Sequence, residues 1–292
     1  MRGPARFSWI RSLVTGVKRT LGRGKTSLQE RRLKAEISNT IFSCIDVEKH
    51  VLNLNQYGCS FGLKLPAHMV QEIKGYAESN PVYAFRDPKL GFRPPDRQKA
   101  ESVLGKKILL AQYFNVQQNC SAINKIALDP LLNLIALNYI GCVPRYLGAV
   151  LWWTYPVMAE RSERLKHAQF FHRDIDDFKF LKFFFYLTDV EEGDGAHWVV
   201  AGSHLNAPHV RIKDNFVTRR FDDEEINSFY EKKDIIEVSG PGGAGFSEDT
   251  LCVHKAATPI RNPRLILQLQ FGLFNFVPEN DRRISSDLQL IC

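Results

Sequence analysis

The residues most able to do chemistry together are His172, Arg173 and Asp174. In an extended chain, side chains two apart project to the same side. A neutral imidazole and a carboxylate at 172 and 174 can therefore reach one metal ion. The pair alone is also compatible with a structural His–Asp hydrogen bond. A second imidazole from a distant strand would separate the two cases. His254 offers one, following a Gly-rich turn and the segment Phe246-Ser247-Glu248-Asp249-Thr250. Two histidines and one carboxylate on one face leave three coordination positions open, the donor set of non-haem iron(II) oxygenases.

Ten residues after His254, a strand-like run begins at Arg264. Alternation puts Arg264, Ile266, Gln268 and Gln270 on one face, and Leu265, Leu267, Leu269 and Phe271 on the other. An arginine and two glutamines on one side predict the polar wall of a cavity, with a guanidinium suited to bidentate capture of a carboxylate. Arg261 is the alternative clamp, but it sits in the turn before Pro263. His197 and His204 read as loop and packing residues, and His167 and His209 as surface residues. The run Phe183-Phe184-Phe185-Tyr186 reads as sheet core. Trp152 and Trp153 project to opposite faces, so one of them is able to line the cavity. Lys255 is either solvated or faces an anionic substrate. A Gly-rich phosphate loop and a Gly-x-Ser-x-Gly nucleophile elbow are both lacking, which argues against the hydrolases built on the latter.

The words FHRDIDDFKFLKFFFYLTDV at 171–190, GDGAHWVVAGSH at 193–204 and FSEDTLCVHKAATPIRNPRLILQLQF at 246–271 resemble the phytanoyl-CoA dioxygenase-like branch of the Fe(II)/2-oxoglutarate-dependent oxygenases. AVLWWTYP at 149–156 also looks like that family's strand before the metal motif, and the resemblance spans roughly residues 128–275. It implies a double-stranded β-helix core of jelly-roll or cupin type. It implies iron held by His172, Asp174 and His254, and 2-oxoglutarate held through its distal carboxylate by Arg264. It further implies O2-dependent hydroxylation with release of succinate and CO2. A carboxylate retained at Asp174 favours hydroxylation over halogenation. One departure is Ile266, where many relatives carry a hydroxyl side chain that helps to bind the co-substrate. Thr258, Gln169 and Lys182 are candidates to share that role. The family includes oxidisers of acyl thioesters, small metabolites and lipid or sugar conjugates, so a small-molecule, lipid or glycolipid substrate is expected. The rival reading is a catalytically silent metal-binding jelly roll that acts as an interaction module.

These side chains need a scaffold, and the chain patterns supply one. Residues 146–155, 181–188, 197–201, 234–238 and 264–274 are short β-branched or aromatic runs separated by Gly-rich turns. Upstream, residues 28–80 read mainly as helical and mixed segments, 86–98 as a Pro-rich charged loop and Leu104–Phe114 as a strand or short helix, before a clear helix start at Asp129-Pro130 and stop at Gly141. The expected fold is α+β, with flanking N-terminal helices before the β core. Residues 35–292 would form one domain, comprising a helical front at 35–145 and a jelly-roll core at about 146–277.

The 292 residues carry a net charge of +7, which invites a nucleic-acid reading. Its location argues otherwise. Ten of the 39 basic and one of the 32 acidic side chains lie in residues 1–34, so that segment carries +9 and the remainder −2. The body has no basic surplus, and no nucleic-acid partner is expected. Within the tail, Phe7, Ile10, Val14, Val17 and Leu21 recur at helical spacing among basic residues. Such a helix suits an anionic membrane surface, an organelle-targeting segment or a frayed terminus. Gly22, Gly24 and Thr26-Ser27 look like a hinge after it. The six cysteines form no CxxC pair, consistent with a reducing compartment and a cytoplasmic setting, peripheral to the inner face of a membrane if the tail binds one.

Overall fold

A computed structural model describes residues 3–158, 169–205, 219–276 and 282–292. Its strands are β1 (Cys59–Lys64), β2 (Val82–Ala84), β3 (Gly91–Phe92), β4 (Leu110–Tyr113), β5 (Arg145–Thr154), β6 (Phe180–Tyr186), β7 (His197–Val200), β8 (Ile235–Val238), β9 (Ala244–Glu248), β10 (His254–Ala256) and β11 (Arg264–Gly272). Its helices are α1 (Ser8–Glu36), α2 (Val47–Tyr57), α3 (Ala67–Ser79), α4 (Arg97–Leu104), α5 (Val116–Asn119), α6 (Ser121–Leu128), α7 (Pro130–Ile140) and α8 (Asp223–Phe229).

The apolar runs pair into two antiparallel sheets. The larger has the order β1-β9-β6-β11-β5-β4-β2-β3 and the smaller the order β10-β7-β8. Strand β11 is central. Its Leu267 lies opposite Leu151 of β5 and Phe185 of β6, and its Gln268 opposite Val150 and Phe184. The period of two then sorts side chains to opposite faces. On the outer face Leu151, Leu181, Phe183, Phe185, Leu267 and Leu269 join the main core with apolar residues of α3, α6 and α7. On the inner face Phe184, Tyr186, Phe246 and Ile266 pack with Val199 and Val238 of the small sheet. Burying each such side chain contributes roughly 1.5–3 kcal/mol.

Helix α7 is buried nearly all round, which explains its continuously apolar sequence. Asp129 caps it, accepting from the N–H groups of Leu131 at 2.9 Å and Leu132 at 3.3 Å. Gly141 ends it at φ 81°, where a β-carbon would strike the Arg19 guanidinium.

Two expectations are corrected by the fold. The front at 35–145 is not only helical: β4 falls within Leu104–Phe114, read as a strand or short helix, and β1 to β4 together extend the large sheet on both sides of the core strands. Strand β1 escapes the alternation rule because Gly62, at φ 96°, shifts its register between Phe61 and Leu63. Nor does a hinge follow the basic tail. α1 runs unbroken for 29 residues through Gly22 and Gly24 to Glu36, past the expected boundary at 34. Thr20 and Thr26 donate to the carbonyls of Gly16 and Gly22, as helical hydroxyls do. Leu33 packs against Leu134 and Leu137 of α7. Arg19 Nε donates to the Ile140 carbonyl at 3.2 Å, satisfying the exposed end of α7. The tail is thus an element of the fold.

Candidate metal centre and its cavity

An isolated antiparallel bridge sets His172 directly opposite His254. Each backbone N–H donates to the other's carbonyl at 2.9 Å. Asp174 is fixed two residues on, its N–H donating to the Thr250 carbonyl at 2.8 Å. The two imidazole centroids are then 4.2 Å apart. His172 Nδ1–H donates to the Phe170 carbonyl and His254 Nδ1–H to the Cys252 carbonyl, both at 2.9 Å. A carbonyl only accepts, so each ring carries its proton on Nδ1 and turns a free Nε2 lone pair inward. Asp174 Oδ1 lies 3.6 Å from His172 Nε2, and Oδ2 lies 3.6 Å from His254 Nε2. One donor atom from each residue falls within 4.8 Å of the others. This is a facial two-histidine, one-carboxylate site, and its donor chemistry fits a divalent iron.

Electrostatics put the donors in their ligating forms. Burial and the neighbouring His254 push His172 well below the ordinary imidazole pKa, so it is neutral. Burial opposes ionisation of Asp174, but the Lys182 ammonium beside it outweighs that cost and holds the carboxyl well below its usual range. Lys182 Nζ donates to Asp174 Oδ2 at 2.6 Å and lies 3.0 Å from Asp176 Oδ2. Against burial, those two carboxylates push the Lys182 pKa up.

The centre opens into a cavity of about 360 Å³. β11 contributes Gln268 and Gln270 to its wall, β5 contributes Val150 and Trp152, and β6 contributes Lys182 and Phe184. The predicted polar strand face is therefore present for its two glutamines. Arg264 does not line this cavity. It is 1% exposed, and its guanidinium donates to the Gly195 carbonyl and, at 3.3 Å, to Thr154 Oγ1. Its Nε is buried without a partner. Thr258 Oγ1 donates to Gln169 Oε1 at 2.7 Å, leaving the Gln169 Nε2 buried and unpartnered. Each is an orphaned donor outside the lining of the cavity, and the cationic one at Arg264 is free for an anionic acceptor. Lys182 is committed elsewhere, to Asp174 and Asp176.

Other side chains resolve as follows. Arg261 is half exposed and lies near Glu191 and Asp194 at 3.5 and 3.6 Å, so it forms a surface pair. Trp152 is the cavity tryptophan, while Trp153 Nε1 donates to Tyr113 Oη at 3.0 Å against the outer core. Lys255 is neither solvated nor free for a substrate, because Asp223 takes its ammonium with both oxygens at 2.6 Å. His204 packs beside Cys252, whose Sγ is 3.4 Å from its Nδ1. His167 and His209 lie outside the described residues.

His197 departs from its packing role. It lines the cavity, stacks on His254 at 5.5 Å between centroids, and meets Glu248 Oε2 at 2.6 Å. Burial pushes Glu248 up to about 8, and burial with the Arg264 charge pushes His197 down to about 3. The pair is therefore neutral, with the carboxylic acid donating to the imidazole. Sequence reasoning also missed Arg86, Arg220 and Arg283 of the cavity wall. They come from a Pro-rich loop, a segment before α8 and the C-terminal stretch, and no local pattern joins them.

The fold is shared with solved proteins that depend on α-ketoglutarate or were solved with a metal and 2-oxoglutarate. HygX from Streptomyces hygroscopicus, solved with nickel and 2-oxoglutarate, matches with a TM-score of 0.54 at 14% identity, over 83% of this chain and 94% of that one. The α-ketoglutarate-dependent carbocyclase SnoK from nogalamycin biosynthesis matches at 0.51 and 15%, over 78% and 86%. The epimerase SnoN, solved with Fe3+, α-ketoglutarate and nogalamycin RO, matches at 0.50 and 16%, over 77% and 82%. No protein-family model matches the chain, and no curated protein matches it in sequence.

Proposed function

We propose that this chain is an Fe(II)- and 2-oxoglutarate-dependent oxygenase of the phytanoyl-CoA dioxygenase-like branch, with a double-stranded β-helix core, that hydroxylates a small-molecule or lipid-linked substrate. The observation that carries the reading is the convergence of two Nε2 lone pairs and an ionised Asp174 on one point of a cavity. His172, Asp174 and His254 hold the iron. Arg264 and Gln169 donate to the far carboxylate of 2-oxoglutarate, with Thr258 orienting Gln169. When bound, iron, 2-oxoglutarate and O2 supply the oxidising equivalent, with release of succinate and CO2. Lys182 keeps Asp174 ionised, and the Phe170 and Cys252 carbonyls keep both imidazole tautomers in register. Trp152 and Phe184 close the apolar part of the wall against water.

Anaerobic addition of Fe(II) and 2-oxoglutarate to the folded protein is expected to give a weak visible charge-transfer band. Absence of metal binding overturns the reading, and metal binding without 2-oxoglutarate-dependent succinate release favours the silent metal-binding jelly roll instead. Incubation with cell extract under heavy O2 then tests the reaction type by mass spectrometry. Gain of one labelled oxygen supports hydroxylation. An isomer or a loss of two hydrogens places the reaction instead among those of the epimerase and carbocyclase neighbours.

A specific observation also favours peripheral membrane contact. Trp9, Leu13, Val17, Leu21 and Leu28 are exposed along α1. Lys18, Lys25 and Arg145 rim the apolar groove that Leu13, Val17 and Leu21 share with Val143 and Leu273. Apolar side chains among cations suit an anionic lipid surface. No described helix is long and apolar enough to cross a membrane. Co-sedimentation with phosphatidylserine vesicles, lost in Leu13→Asp and Leu21→Asp, is the expected result.

A further inference from the structure

We infer that the primary substrate is anionic and that Arg86, Arg220 and Arg283 bind its phosphate or carboxylate group at the cavity wall; this rests on the oxygenase reading above. The charges that line the cavity point this way. Among the described residues, Arg86, Lys182, Arg220 and Arg283 face two carboxylates, Asp174 and Asp176. Lys182 sits on both of those carboxylates. The excess is two positive charges. A divalent metal and dianionic 2-oxoglutarate cancel each other, so the excess persists in the loaded enzyme and falls on the three arginines.

None of the three has a carboxylate partner among the described residues. Arg220 Nη1 is buried with no hydrogen bond at all. Arg283 donates to the neighbouring Arg282 carbonyl and stacks at 4.7 Å over the Phe114 ring. Arg86 is solvent-exposed and Arg220 and Arg283 are half-buried, and three cations gathered on one cavity wall without an anion favour an anionic ligand there. A planar five-donor fork matches phosphate and carboxylate oxygens.

The backbone supports two of them in place. Phe85 and Arg86 both lie in the left-handed region, at φ 56° and 65°. Non-glycine residues rarely adopt it. Asn115, at φ 57°, clamps Arg283 from both sides. It accepts from the Arg283 N–H at 2.9 Å and donates to its carbonyl at 3.0 Å. Asp174 favours the charged form of both Arg86 and Arg220, so both lie within electrostatic reach of the metal ligands. The co-substrate has its own orphaned donors at Arg264 and Gln169, outside this cavity wall.

The test uses the full chain loaded anaerobically with Fe(II) and 2-oxoglutarate. Glycerol 3-phosphate and butyrate, in separate titrations, probe a phosphoryl and a carboxylate source. Binding is followed by calorimetry and by perturbation of the charge-transfer band. At least one probe is expected to bind. Arg86→Gln, Arg220→Gln and Arg283→Gln should each weaken it by about tenfold, as loss of one charge-assisted hydrogen bond does. Affinity for 2-oxoglutarate should stay within about threefold, and unchanged melting curves certify folding. Arg→Lys variants should recover part of the loss. If neither probe binds, or if the variants bind it as the wild type does, the inference is overturned. It is also overturned if the variants chiefly weaken 2-oxoglutarate. Failure of the oxygenase reading looks different: the wild type then forms no charge-transfer band, while calorimetry still reports whether the arginines bind the probe.

Discussion

Two histidine–carboxylate constellations lie side by side in this molecule, and they behave as opposites. His172, Asp174 and His254 face the cavity, with Asp174 held ionised by an ammonium at 2.6 Å. His197 and Glu248 are stacked against them, yet Glu248 has no cation at hydrogen-bond distance and burial pushes it up to about 8. The residue types are the same. What differs is the neighbouring charge: Lys182 outweighs desolvation at Asp174, and nothing does so at Glu248. One carboxyl is ionised and ready to ligate a metal, and the other stays a protonated acid that pins an imidazole. Another buried histidine, His50, follows the second pattern, meeting Ser247 Oγ at 2.7 Å beside Glu248.

The sharpest way to break this contrast is Asp174→Ala. Loss of a ligating carboxylate should weaken Fe(II) binding by more than about 100-fold, measured by anaerobic metal titration. If metal affinity survives, the open constellation is not the metal site. Next in size, Arg264→Ala should raise the dissociation constant for 2-oxoglutarate by about 30-fold or more, because truncation leaves the carboxylate unpaired. The metal-only affinity of that variant should not move. A co-substrate affinity equal to wild type would shift the clamp to another cation.

The closed constellation predicts smaller and different effects. Glu248→Ala leaves His197 unpaired in the core and should cost about 1–3 kcal/mol of stability in denaturant melts. Glu248→Gln keeps a donor and should recover most of that. Neither should change metal affinity by more than about threefold, since His254 Nδ1 is oriented by the Cys252 carbonyl and not by Glu248. A larger effect on metal binding would merge the two constellations into one. The smallest effect is at His50, which burial pushes down to about 4 from an ordinary imidazole value near 6.5. A depressed folded pKa stabilises above the unfolded value and loses that stability as pH falls. The loss should therefore accrue between about pH 6.5 and 4, and His50→Gln should flatten melting temperature against pH in that window.

Much of the site was legible because it is local in sequence. His172 and Asp174 are two apart on one extended segment, and Arg264, Gln268 and Gln270 share one strand. Period-two alternation predicts their common face without reference to any other element. The roles assigned to Lys182 and His197 were not legible, because each depends on a partner from another strand. Asp174 neutralises Lys182 across the cavity, and Glu248 of β9 turns His197 of β7 from packing residue to cavity wall. The fold shows the same division. The capped helix α7 announces itself by Asp129-Pro130 and Gly141, whereas β1 hides behind a glycine bulge and is recognisable only by its pairing to β9. The unbroken α1 likewise rests on α7, whose buried surface outweighs the glycines that suggest a hinge.

What the amino-acid sequence determined by itself was the supply and phase of the chemistry: which side chains can ligate, on which strand face they stand, and where the excess charge lies. Those follow from backbone periodicity and composition, which need no neighbours. Tertiary structure alone decided which carboxyl is ionised, which arginine is buried and which three converge on the cavity. Those are matters of desolvation and of charges brought together from residues far apart in the chain, and no local pattern encodes them.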